Sequence, residues 1–245
     1  MWWSIDADSV RPPYGSVTKS RQHVRIGGHT GMPITRLSSL TSSVRVRLFM
    51  LVLKWSYRLT IRRGNWWEPL IQETAPSLGD RILEVSAEGF GECAALARQY
   101  PAVHFSAVQS AGSNKDIRVP LSNLELLRGE QCCIDCRAGS FDKVICSLAL
   151  HPLPLNEKLV LLKEMRRVLR HGGTLHLADF DQPLQPREVH VLRGIGHLFG
   201  PETAESHLDG SWLNLIKQAG FVGVRRVNTF SEMVGRVAVI SARRS

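Results

Sequence analysis

The chain has 245 residues, of which 43% are hydrophobic and 22% charged, so it is long enough to bury a core and too apolar to be disordered throughout. Its formal charge of +9 is concentrated at one end: residues 1–63 carry 11 Lys/Arg against 2 Asp/Glu, whereas residues 64–245 carry 20 of each. The basic balance therefore concerns what the leading segment touches and gives no reason to expect nucleic acid on the rest of the chain.

Residues 1–43, with "RPPYGS", "RIGGHTGMP" and "SSLTSS", have the Gly, Pro and Ser density of a flexible basic leader and no sustained periodicity. This leader is expected to be dispensable for folding, and its early Asp6 and Asp8 argue against a transit peptide. Residues 44–67 form a second unit. There "LFMLVL" is flanked by Lys54, Arg58, Arg62 and Arg63. Six uninterrupted apolar residues are too few to cross a bilayer, which takes roughly 20, so an amphipathic helix is expected over 44–63. It either packs on the following domain or makes a weak contact with an anionic membrane surface, with Trp55, Tyr57, Trp66 and Trp67 as aromatic anchors.

From residue 68 onward strands and helices alternate. "RILEVS" reads as a strand, "CAALARQY" as a helix, "VHFSAV" and "LELL" as the second and third strands, and "FDKVICSLAL" as the fourth. "LNEKLVLLKEMRRVL" has apolar residues at helical spacing, and "HGG" is expected to close it before a fifth strand, "TLHLADF". "SWLNLIKQAGF" is another amphipathic helix. "VGVRRVNTF" and "GRVAVISARR" follow with too little chain between them for a crossover helix, so they form an antiparallel hairpin. The pattern predicts an α/β, Rossmann-like, seven-stranded and mostly parallel sheet with helices on both faces, and places the antiparallel strand Arg236–Ala242 at or near one edge.

Five cysteines make an odd number, and no signal-peptide pattern precedes them, so a reducing, cytoplasmic setting is expected and a disulfide framework is not. The "CCIDC" cluster at Cys132, Cys133 and Cys136 has no second pair or histidine at zinc spacing, so no metal is expected there. His190, His197 and His207 are also too widely separated to suggest a metal site.

The stretch "FDKVICSLALHPLPLNEKLVLLKEMRRVLRHGGTLHLADFDQP", residues 141–183, resembles the fourth-strand to fifth-strand half of class I S-adenosylmethionine-dependent methyltransferases of the small-molecule type. In that family "FD" opens the fourth strand, a "LHHL"-like turn follows it, and a helix ending in "RVLKPGG" leads into the fifth strand. The likeness extends through "LIKQAGF" to the end of the chain and covers about residues 68–245. It implies S-adenosyl-L-methionine as cofactor, a small-molecule acceptor as substrate and no nucleic-acid partner. The alternative is a methyltransferase-like interaction domain that has lost its cofactor.

The resemblance also assigns site residues. Glu84 takes the place of the acid that ends the family's first strand. Ser86, Glu88 and Phe90 then stand where three glycines are usual, and Gly89 and Gly91 fall between them. A loop shifted by one residue would offer Gly89 and Gly91 for close backbone approach. Gln109 stands where an acid usually holds the ribose hydroxyls, and Glu130 where an Asp usually meets the adenine amino group. His151 lies near the expected methyl-transfer position as a candidate catalytic base. Asp179 and Asp181 sit at the carboxyl end of the fifth strand, where open α/β sheets place ligands. His190, His197, Phe199 and His207 belong to an insertion that covers the substrate in the family.

Overall fold

The computed structural model describes residues 64–86, 91–110, 121–130, 133–232 and 235–245. The leader 1–43, the expected helix 44–63, the loop residues Glu88, Gly89 and Phe90, and Cys132 lie outside the described residues.

Eight strands form one sheet: β1 Arg81–Ser86, β2 His104–Ser110, β3 Leu124–Glu130, β4 Cys133–Ile134, β5 Phe141–Ser147, β6 Leu169–Phe180, β7 Phe221–Glu232 and β8 Gly235–Arg244. Their order is β4-β3-β2-β1-β5-β6-β8-β7. Neighbours from β3 to β6 run parallel, whereas β4 runs against β3 and β8 runs against both β6 and β7. The seven expected strands are all present, and the two-residue β4 is an eighth on the far edge. Strand β8 lies one place in from the other edge, because β7 covers it.

Residue alternation divides the core between the two faces of the sheet. Leu83 and Val85 of β1, Val144 and Cys146 of β5, Leu175 and Leu177 of β6, and Ala238 and Ile240 of β8 share one apolar cluster. Helices α3 (Leu155–Val168) and α6 (Trp212–Gln218) close it with Leu162, Met165, Trp212 and Ile216. Elsewhere α1 (Trp67–Thr74) packs on β6 and β8, and α2 (Gly91–Gln99) packs on β2 and β3. Trp66 is completely buried at the start of α1, which removes it from the expected membrane anchors. Between β6 and α6 lie α4 (Pro186–Phe199) and α5 (Pro201–Leu208).

The glycines after α3 do not act as the sequence pattern predicts. The helix ends at Val168 and the chain enters β6 directly, so Gly172 and Gly173 lie within a twelve-residue strand, beside a register shift against β5. The helix end is capped from elsewhere: Arg244 in β8 donates through Nη1 to the carbonyls of Arg166 (2.9 Å), Arg167 (2.8 Å) and Leu169. A guanidinium thereby satisfies carbonyls that a helix terminus leaves unpaired.

Candidate active site

Strand order reverses between β1 and β5, and in an open α/β sheet a crevice opens at the carboxyl ends of the strands flanking such a reversal. Ser86 and Ser147 are register partners at those two ends. Glu84, two residues back on β1, is buried, and neither carboxylate oxygen has a hydrogen-bond partner among the described residues. The Cys93 amide and thiol lie beside it and partly oppose the effect of its burial, and the thiol also lies 3.8 Å from the Ser106 carbonyl. Burial, and secondarily the charge of Glu92, push the Glu84 carboxyl well above its ordinary value. Ser147 Oγ is likewise buried with no partner among the described residues. Unmet bonding capacity therefore collects at the reversal, where a polar, cationic ligand would satisfy it.

One strand further along, the chain turns sharply after β5. Leu148 has a left-handed backbone (φ 50), unusual for a bulky side chain and costing roughly 1–2 kcal/mol. Its amide donates to the Ala178 carbonyl at 2.8 Å. The turn brings the next amides onto the Asp179 carboxylate: Leu150 and His151 donate to Oδ2 at 2.7 and 3.2 Å, and the Phe180 amide donates to Oδ1 at 2.7 Å. The His151 ring completes the set, with Nδ1 2.9 Å from Oδ1. Burial alone would raise the Asp179 carboxyl, but His151, then the nearby His207 and the Leu150 amide, hold it down at about 2. An ionised carboxylate can only accept, so Nδ1 carries the hydrogen and Nε2 is the nitrogen at which a proton is gained or lost. Phe180 meets the imidazole edge-on at 4.7 Å between ring centres.

The segment 184–208 folds over this pair. Of its candidate residues, Phe199 and His207 come within 6.1 and 6.4 Å of the His151 ring centre, whereas His190 and His197 face solvent. His207 donates from Nδ1 to the Phe180 carbonyl at 2.7 Å and stacks on Trp212 at 5.1 Å. Burial, and then the Lys158 charge, push His207 down to about 3, so its ring is neutral. Lys158 was not legible as a site residue. It is fully buried on α3, and its Nζ donates to the Thr203 carbonyl (2.6 Å) and to Ser206 Oγ (2.8 Å), fastening α5 to α3. Burial pulls its ammonium down to about 8, against the opposing charges of Asp179 and Asp209.

The remaining expected residues are dispersed. Asp181 is buried but bound to Arg226 at 2.7 Å, with Arg236 at 3.7 Å. Gln109 lies near the end of β2, Glu130 ends β3 and Gly91 begins α2; the side chains of Gln109 and Glu130 are outside the described part of the structure. No group of three or more metal-ligating side chains occurs among the described residues. No described helix is long and apolar enough to cross a membrane.

Residues 86–177 match a family model described as a methyltransferase domain. A demethylmenaquinone methyltransferase of Listeria monocytogenes is 30% identical over 135 residues, 48% of this chain and 56% of that protein. This chain thus spans about half the length of the curated relatives it matches. Among solved structures, PigF with SAH aligns with a TM-score of 0.54 at 15% identity, over 78% of this chain and 61% of that one. A putative methyltransferase of Bacillus halodurans aligns with a TM-score of 0.53 at 19% identity, over 72% and 97%. At those identities the structural likeness speaks for the fold alone.

Proposed function

Because the domain belongs to the class I S-adenosylmethionine-dependent methyltransferase family, we propose that this chain binds S-adenosylmethionine at the β1–β5 reversal and methylates a small-molecule acceptor in the cytoplasm. The observation that carries this reading is the buried Glu84 carboxyl, which has no charged partner among the described residues, with the unpartnered Ser147 Oγ, at the carboxyl ends of those strands. The cofactor's sulfonium and ammonium are cationic, which suits a buried carboxyl that faces only the Cys93 amide and thiol among the described residues. When bound, the cofactor supplies an electrophilic methyl group.

The chain itself then has to bind, orient and exclude water, a contribution that reaches roughly 7–11 kcal/mol for well-aligned reactants. Glu84, Ser86, Gly89 and Gly91 hold the cofactor's near end. Gln109 holds the ribose and Glu130 the adenine. His151 takes the proton from the acceptor's nucleophilic atom at Nε2, while Asp179 fixes the ring through Nδ1. Helices α4 and α5 roof the site with Phe199 and His207. A relative named for demethylmenaquinone makes a quinone, with its reduced quinol form, the first acceptor to try.

The second reading is a domain that retains the fold without the cofactor. Ser86, Glu88 and Phe90 at glycine positions favour it, since side chains there occupy room that a ligand's close approach to bare backbone needs. The two readings separate in a methyl-transfer assay with labelled S-adenosylmethionine and a panel of phenolic and quinol acceptors. Label on an acceptor, reduced tenfold or more by His151→Gln, supports the enzyme. No labelled product from folded protein with any acceptor refutes the enzyme reading and favours the second.

A further inference from the structure

We propose that Cys133 and Cys136 are a dithiol modification site, oxidised by a hydroperoxide to an intramolecular disulfide on the strand edge beside the adenine end of the site. Formation of the disulfide stands independently, whereas its effect on cofactor affinity rests on the function proposed above.

Both cysteines are free thiols, Cys133 exposed and Cys136 half-buried. Two residues separate them, and the Cys136 amide donates to the Ile134 carbonyl at 2.7 Å, closing a tight turn. Three residues of extended chain span about 10 Å; the turn shortens that span toward the roughly 4.4–6.8 Å between Cα atoms that a disulfide needs. Arg167 holds the turn in shape, donating to the carbonyls of Cys136 (2.7 Å) and Ile134 (2.8 Å), and is itself held by Glu164 at 2.9 Å. Its guanidinium lies near enough to feel the charge of both thiols. Burial raises the Cys136 thiol and Arg167 opposes the rise; Cys133, the exposed one of the pair, is the sulfur a hydroperoxide reaches first. Cys93 and Cys146 are fully buried with thiols pushed well up, so they stay inert.

The chemistry balances with a hydroperoxide as oxidant. The Cys133 thiolate attacks the peroxide oxygen and the O–O bond breaks. With hydrogen peroxide, proton uptake releases water and leaves a sulfenic acid. The Cys136 sulfur then attacks that sulfur, the S–S bond forms, the S–O bond breaks, and hydroxide leaves as a second water with the Cys136 proton. Two thiols and one hydrogen peroxide give one disulfide and two waters.

The consequence follows from register. Cys133 pairs with Glu130 and Ile134 with Gly129 across the β3–β4 ladder. The ladder has little slack, because a Cβ on Gly129 would come within 2.8 Å of Val108 Cγ1 and 3.0 Å of the Cys133 carbonyl. Tightening the turn therefore pulls on the strand that carries Glu130.

The test treats the reduced full chain with hydrogen peroxide, then alkylates and maps the thiols by mass. The expected result is loss of two hydrogen masses and two of the five thiols, mapped to Cys133–Cys136 and reversed by dithiothreitol. Cys133→Ser and Cys136→Ser should each prevent it, and Cys132→Ser should not. A bond through Cys132, an intermolecular bond or over-oxidation without the two-hydrogen loss overturns the site. S-adenosylhomocysteine should bind the oxidised form several-fold more weakly than the reduced form. Equal affinities overturn the coupling; binding to neither form overturns the proposed function and leaves the thiol map to decide the dithiol.

Discussion

Asp179 links the backbone of two strand ends to the one imidazole proposed to act on substrate, and each of its oxygens accepts both a fixed amide and a further donor. Asp179→Asn keeps the shape but turns an NH2 toward amides that need an acceptor. The expected loss is about 1–3 kcal/mol of stability, or roughly 2–4 °C in Tm for each kcal/mol in a domain of this size, read by thermal denaturation. An unchanged Tm would mean that the carboxylate does not organise the turn. Gln109→Asp puts a charge at the position proposed for the ribose and should tighten S-adenosylhomocysteine binding about tenfold, since charge-assisted bonds are roughly twice as strong as neutral ones; unchanged affinity would remove Gln109 from the proposed site. His151 was a candidate in the sequence through the family resemblance, and Asp179 through its place at the carboxyl end of the expected fifth strand. Their pairing was not legible, since it depends on the positive φ of Leu148. Lys158 was invisible for a different reason: on an amphipathic helix a lysine reads as solvated, and only the tertiary placement of α5 supplies its two acceptors.

At the scale of elements, the alternation of strand and helix and the terminal hairpin were readable from periodicity and from the lengths of the connections. Helix α3 was readable in position but not in its ending, because the groups that finish it come from β8, about 75 residues on. A single guanidinium over three carbonyls also ties the last strand to the central layer. Arg244→Met keeps the aliphatic stem and strips the donors. It should lower the urea midpoint by the equivalent of about 1–3 kcal/mol, the cost of leaving such groups unmet, and speed hydrogen exchange at the end of α3. A variant with the wild-type midpoint would show that water replaces the cap at no cost.

Across the whole molecule, buried titratable groups set an asymmetric dependence of stability on pH. His207, His176 and Asp179 have folded values held at about 3, 4 and 2, below their ordinary 6.5, 6.5 and 3.8. Each contributes stability that is complete above its ordinary value and lost as pH falls through its folded value. Glu84 has the opposite sign: its carboxyl, raised well above 4.5, contributes fully below that value and loses that contribution as pH rises, so it offsets part of the loss on acidification. Lys158 has the same sign higher up: lowered from 10.5 to about 8, it adds stability as pH rises above 8. The buried thiols of Cys93 and Cys146 run the other way, because their raised values cost stability once unfolded thiols ionise near 9. Denaturation midpoints should therefore rise between pH 8 and 9 through Lys158, and Lys158→Met should remove that rise; a wild-type midpoint that falls across this interval would contradict this account of the buried groups. The central claim is that the strand reversal between β1 and β5 holds the cofactor through Glu84. It is tested most directly by calorimetric titration of the folded, reduced chain with S-adenosylhomocysteine, beside Glu84→Gln. The account predicts saturable 1:1 binding that Glu84→Gln weakens tenfold or more; no heat of binding at millimolar ligand, or equal binding by the variant, would contradict it.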